Sequence, residues 1–173
     1  MPYSTTVYAL SPSGDEFWAF DAGRSMLRRY VSAPRLPLGD DLDYDARSDV
    51  VWRNVATGEV NVWFMSGLAL LPASGTIAIL PSPQWSILGS GDFDGDGRGD
   101  LLLRHATTGD LAIWLMDGRA VKPGSAVFAT LDASRWQLAG IGDANVDGTA
   151  DMLWYDVLTG NVHVWLMNGA TLL

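Results

Sequence analysis

The segment Gly91-Asp92-Phe93-Asp94-Gly95-Asp96-Gly97-Arg98-Gly99-Asp100 places carboxylates at positions 1, 3, 5 and 9 of a glycine-rich loop, and the arrangement recurs at a fixed distance. Fifty-one residues earlier stand Asp41, Asp43, Asp45 and Asp49, and fifty-one later stand Asp143, Asn145, Asp147 and Asp151. A fixed period of this length marks a stacked or circular array, in which a single unit cannot bury its own apolar face and neighbours must complete the core. Oxygen-bearing side chains converging from one short loop repel each other unless a cation sits among them, and hard oxygen donors at this density suit calcium.

The period carries more than the loop. Asp49-Val50-Val51-Trp52, Asp100-Leu101-Leu102-Leu103 and Asp151-Met152-Leu153-Trp154 each read as a strand leaving it. Turns follow at Thr57-Gly58, Thr108-Gly109 and Thr159-Gly160, and the next segments, 59–65, 110–116 and 161–167, alternate in the period-2 manner of a strand. A second glycine falls nine residues after the first, at Gly67, Gly118 and Gly169, behind a polar partner suited to a tight turn. Third apolar stretches cover 68–80 and 120–131, and fourth ones begin at Trp85 and Trp136 and end just before the next acidic loop. Four short strands per unit predict an all-β, propeller-type array of antiparallel blades with three calcium loops, forming a small or incomplete propeller, with each loop joining consecutive blades.

The division expected is a degenerate N-terminal half-blade over 1–37, followed by three repeats at about 41–91, 92–142 and 143–173, the last of them truncated. Residues 7–27 read as a decayed hairpin, because Gly14 and Gly23 keep the nine-residue spacing with Phe17, Trp18 and Phe20 between them. No acidic loop precedes it. Arg24, Arg28, Arg29 and Arg35 form a basic stretch that could meet an acidic loop of the same or another copy, and unpaired terminal strands would serve as templates for pairing. A homo-oligomer or head-to-tail polymer built through terminal strands is the partner expected from this pattern.

Composition narrows the function. The formal charge of −9 argues against nucleic acid and against anionic lipid, both of which call for a basic face. Eleven of the twenty acidic residues sit in the loops, so three divalent ions, each adding two positive charges, would bring the charge from −9 to −3. The absence of cysteine excludes a disulfide framework and a thiol nucleophile. No apolar run reaches the roughly 18 residues of a membrane span, and the first residues carry neither the basic nor the apolar region of a signal peptide.

The strings GDFDGDGRGDLLLRHATTGDLAIWLMDG and GDANVDGTADMLWYDVLTGNVHVWLMNG resemble FG-GAP repeats of the VCBS type, the calcium-binding blades of integrin α-subunit propellers and of many bacterial surface or secreted proteins. The resemblance spans 38–173. It implies coordination by side chains at positions 1, 3, 5 and 9, with the backbone carbonyl of position 7 completing the shell; those carbonyls belong here to Arg47, Arg98 and Thr149. The implied metal residues are thus Asp41, Asp43, Asp45, Arg47 and Asp49; Asp92, Asp94, Asp96, Arg98 and Asp100; and Asp143, Asn145, Asp147, Thr149 and Asp151. Gly97 and Gly148 permit the positive φ that a tight loop needs, whereas Ala46 stands at that position in the first loop and makes it the weakest of the three. An EF-hand does not fit, since position 12 would be Leu103 instead of a bidentate glutamate and the flanks read as strands.

Most tryptophans obey the period, Trp52 with Trp154 and Trp63 with Trp114 and Trp165, which assigns them to packing between blades. His105 and His163 occupy positions held elsewhere by Asn, Asp or Ala, and no Ser, His and acid stand in a catalytic order, so no enzyme is expected. The residues point to a non-enzymatic, extracellular or cell-surface module, rigidified by calcium and used for self-assembly, as in a filament, or for adhesion. A lectin-like module recognising a glycan or surface protein is the alternative. The compartment follows from affinity, because loops of extracellular modules bind calcium at about 10⁻⁴ to 10⁻³ M and fill only outside cells.

Overall fold

The computed structural model describes the strands of residues 5–10, 16–21 and 26–31 and the whole of 39–173, and the described part is all-β. The chain divides into two compact units, Met1–Leu36 and Pro37–Leu173. Among the described residues no helix is long and apolar enough to cross a membrane.

The first unit holds β1 (Thr5–Leu10), β2 (Glu16–Asp21) and β3 (Met26–Val31) in one antiparallel sheet of order β1-β2-β3. The sequence pattern predicts one hairpin here; a third strand, Met26–Val31, pairs with β2 and extends the ladder. The turns at Gly14 and Gly23, Arg24, Arg35 and the side chains of Arg28 and Arg29 lie outside the described residues.

The second unit repeats one plan three times. Its first part contains β4 (Val50–Arg53), β5 (Glu59–Trp63), the ribbon β6 (Met65–Ser66) and β7 (Ala69–Leu70), and β8 (Gly75–Ile79). The middle part contains β9 (Trp85–Gly91), β10 (Asp100–His105), β11 (Asp110–Trp114), the ribbon β12 (Met116–Asp117) and β13 (Ala120–Val121), and β14 (Ala126–Thr130). The last contains β15 (Trp136–Gly142), β16 (Asp151–Asp156), β17 (Val162–Trp165) and the ribbon β18 (Met167–Asn168) and β19 (Thr171–Leu172). The main sheets run β4-β5-β8, β9-β10-β11-β14 and β15-β16-β17, all antiparallel.

Pairing corrects the expected role of the loops. Asp100 lies opposite Gly91 and Asp151 opposite Gly142, so the second and third acidic loops connect the first two strands of a single sheet. They do not lead from one sheet to the next. The ladder decides this, because the short loop returns the chain antiparallel beside the strand it has just left. Sheet boundaries therefore fall near Trp85 and Trp136, several residues before the acidic motif.

Successive sheets pack face against face. Leu101 and Leu103 from β10, with Ala112 and Met116, bury against Leu42, Val60, Val62, Phe64 and Leu80. On the opposite side Leu102, with Leu111, Ile113 and Leu115, buries against Ala150, Met152, Trp154 and Met167. A strand covered on both faces needs an unbroken apolar run, which explains three consecutive leucines in β10 where a half-exposed strand would alternate. The same position in β16 alternates, with Met152 and Trp154 buried and Leu153 exposed.

Burial of the tryptophans does not follow their sequence equivalence. Trp154 is fully buried, whereas its counterpart Trp52 is 37% exposed and Trp63 is 43% exposed. Trp154 has the middle sheet in front of it, and no described residue covers Trp52 in the same way.

Candidate metal centre

The acidic loops are shaped first by backbone hydrogen bonds. The carboxylate at position 1 turns back over its own loop: Asp92 accepts from the amides of Gly95 (2.8 Å), Asp96 (3.1 Å) and Gly97 (2.8 Å). Asp41 accepts from Asp45 and Ala46, and Asp143 from Asp147 and Gly148. Wrapping the chain this tightly forces positions 4 and 6 into the left-handed region. Gly95 and Gly97 take it with φ of 74° and 89°, whereas Tyr44 and Ala46 in the first loop and Val146 in the third take it as non-glycine residues. The strain foreseen at Ala46 is present. Strain at Tyr44 and Val146 was not legible from a motif that fixes only positions 1, 3, 5 and 9.

Position 9 has a structural task that the ligand pattern conceals. Asp100 accepts from Phe93 N–H at 2.8 Å and from Met116 N–H at 2.7 Å, tying the loop to the start of the β12–β13 ribbon. Asp49 makes the same bonds to Leu42 and Met65, and Asp151 to Ala144 and Met167. The signal was in the sequence as an aspartate followed sixteen residues later by methionine, three times over. Each carboxylate has about four lone-pair sites, so two amide bonds leave room for a cation.

Positions 1, 3 and 9 converge. Asp41, Asp43 and Asp49 bring one oxygen each to within 4.8 Å of one another, and Asp92, Asp94 and Asp100 do the same. Position 5 is turned elsewhere: Asp45 pairs with Arg47 at 2.6 Å, and Asp96 shares the Lys122 ammonium with Asp94, at 2.5 and 2.6 Å. In the third loop Asn145 donates to Asp147, and Asp143, Asn145 and Asp147 are all exposed. The position-7 carbonyls of Arg47, Arg98 and Thr149 accept no hydrogen bond among the described residues and are free to act as ligands.

The two converged clusters crowd carboxylates together, and only in the second does a lysine, Lys122, offset part of the charge. Burial pushes the Asp100 carboxyl up to about 7 against the two amide bonds that favour its ionised form, and Asp49 is likewise pushed up to about 6. Asp43 and Asp92 are raised as well, by burial first and by neighbouring aspartates after it. Burial pulls the Lys122 ammonium down, but Asp94 and Asp96 outweigh it and hold it above the usual lysine range. One oxygen in each cluster is buried with no hydrogen-bond partner, Asp43 Oδ1 and Asp94 Oδ1, the same atom at the same loop position. A buried acceptor left unpaired is costly, and a cation at that point would satisfy it. The donor set, all oxygen and mostly carboxylate, suits a hard metal ion.

The loops also stack on one another. Gly99 N–H donates to the Asp41 carbonyl at 2.7 Å, and Ala150 N–H to the Asp92 carbonyl at 2.6 Å. Gly118 N–H donates to the Leu42 carbonyl at 3.1 Å, and Gly169 N–H to the Phe93 carbonyl at 2.7 Å. The Tyr44 ring lies on Gly97 so closely that a Cβ there has no room, and Arg98 sits 5.7 Å from the centre of that ring.

His105 and His163 pack edge-on against Trp85 and Trp136, and His105 Nδ1 accepts the Thr108 amide to close a turn. In the equivalent turns Asn54 and Asp156 accept from Ala56 and Leu158. Comparison of the chain with protein-family models, with curated proteins and with solved structures found no match.

Proposed function

We propose that Pro37–Leu173 is a non-enzymatic, calcium-stabilised β-repeat module of the FG-GAP/VCBS type, a set of propeller-like blades that works outside the cell in self-assembly or adhesion. The observation that carries the reading is the pair of buried, unpartnered oxygens, Asp43 Oδ1 and Asp94 Oδ1, each inside a converged carboxylate cluster. Calcium there would satisfy both and neutralise carboxyls that burial now disfavours as anions. Each of these two loops also hydrogen-bonds to the unit that follows, so an ion that stiffens the loop would stiffen the joint between sheets. With a dissociation constant near 10⁻⁴ M and about 1 mM calcium, each occupied site would add roughly 1.4 kcal/mol to stability.

Thermal melting with calcium and with chelator tests this directly. Calcium should raise the melting temperature, and Asp94→Asn should remove part of the increase. Equal melting in both conditions would sink the metal reading.

A ligand-recognition role is the second reading, favoured by the exposed Trp52–Trp63 pair, whose rings stand 5.8 Å apart. Its counterpart, Trp154–Trp165, has the same separation and packs within the core between two sheets, which supports an assembly role over a sugar platform. Titration with polysaccharides, read by tryptophan fluorescence, separates the two.

A further inference from the structure

The two junctions inside Pro37–Leu173 follow one plan. At each, the later sheet offers alternate side chains of its loop-following strand, Leu101 and Leu103 at one junction and Met152 and Trp154 at the next. The earlier sheet receives them on its adjacent strand, through Val60 and Val62 at the first and Leu111 and Ile113 at the second. At each, two amides of the later unit donate to the carbonyls at positions 1 and 2 of the earlier loop.

Among the described residues, one half of this plan is uncovered on each side of the unit. The counterparts of Leu101 and Leu103 are Val50 and Trp52, 44% and 37% exposed. The matching donors, the amides of Ser48 and Gly67, bond to nothing among the described residues. The counterparts of Leu111 and Ile113 are Val162 and Val164, 56% and 51% exposed. The matching carbonyls, those of Asp143 and Ala144, accept no backbone bond among the described residues. Arg98 reaches over the first acidic loop at the internal junction; its counterpart Arg47 is exposed on the donor side, where it pairs with Asp45, and the third acidic loop is exposed on the acceptor side.

We infer that a second copy of this chain docks its Val50–Trp52 face on the Val162–Val164 face, so that copies join head to tail by continuing the internal stacking. Donors lie on one side and acceptors on the other, which makes the contact heterologous: each copy keeps one open face of each kind, and growth leads to a ring or a filament. Sheet faces make this contact, not exchanged terminal strands. At the second internal junction Ile141 and Ala150 fill the space above Gly89 and Gly91, whereas the counterparts between copies are Gly39 and Ser48. Glycine in place of Ile141 leaves that part of the contact less filled. The inference rests on the self-assembly reading above.

Sedimentation of the full chain in millimolar calcium tests it. The wild type should grow in size with concentration, Trp52→Glu and Val164→Glu should each stay monomeric, and an equimolar mixture of the two should stop at dimers, since each variant retains one intact face. Dimers in the mixture also show that both variants fold; where either melts early, Val50→Lys and Val162→Lys take their places. Growth that survives both substitutions overturns this face while leaving self-assembly standing. A wild type that stays monomeric at every concentration overturns both.

Discussion

Asp92–Asp100 and Asp143–Asp151 share one spacing of oxygen ligands, but the first loop is roofed by the next unit and the second has no such cover among the described residues. Ala150 and Gly169 donate to the carbonyls of Asp92 and Phe93, and Phe93 is fully buried beneath Ala150 and Met152. Asp92 is consequently buried, and three acids converge. In the third loop Asp143, Asn145 and Asp147 face solvent and bond within the loop. Ligand spacing supplies the chemistry of a site, whereas burial by a neighbour determines how strongly that site demands a cation.

The largest test of this contrast is the position-1 aspartate. Asp92→Ala removes the acceptor of three amides in a buried loop and should cost about 3 kcal/mol in chemical denaturation, while Asp143→Ala, exposed, should cost less than about 1 kcal/mol. Equal losses would mean that the roof contributes nothing.

pH provides the next test. Without calcium, the folded chain holds protons on Asp49 and Asp100 at a pH where unfolded aspartates, near 3.8, have released them. Stability from these groups is therefore fully present below about pH 4 and is lost as pH rises through about 6 and 7. In chelator, stability should fall between pH 5 and pH 8, and calcium should flatten the profile. A flat profile in chelator would show that the clusters are not crowded as described.

Lys122 distinguishes the second loop from both others, whose counterparts are Leu71 and Leu173. Its ammonium already lies between Asp94 and Asp96 and competes with an incoming ion. Lys122→Met should tighten calcium binding at one site about tenfold by calorimetry, a change of about 1.4 kcal/mol, and should lower the melting temperature in chelator. The smallest effect expected is at Val146, a β-branched residue at φ 63° where the second loop has glycine. Val146→Gly should stabilise by about 1 kcal/mol, which would bring the two loops closer together.

Much of the fold was legible in the chain. The 51-residue period, the strand leaving each loop, the turns at Gly58, Gly109 and Gly160 and the left-handed glycines all follow from local chemistry. The site was legible in part. Positions 1, 3 and 9 converge in two loops, but position 5 points to Arg47 or Lys122, and nothing local to Asp96 announces a lysine twenty-six residues away. The burial of the tryptophans was hidden for a similar reason, since Trp52 and Trp154 hold the same position in the repeat and differ in what lies in front of them.

The sequence by itself determined which segments are strands, where the chain turns and which loops gather oxygen, because φ preference, alternation and ligand type are properties of near neighbours in the chain. The tertiary structure decided that each of the last two acidic loops lies within one sheet and stacks on the loop before it. It also decided that β10 is covered on both faces and that two carboxylate oxygens are sealed from water without a partner. Those outcomes depend on which sheet faces meet, and that is settled by burial of apolar surface between residues about fifty positions apart, beyond the reach of any local pattern.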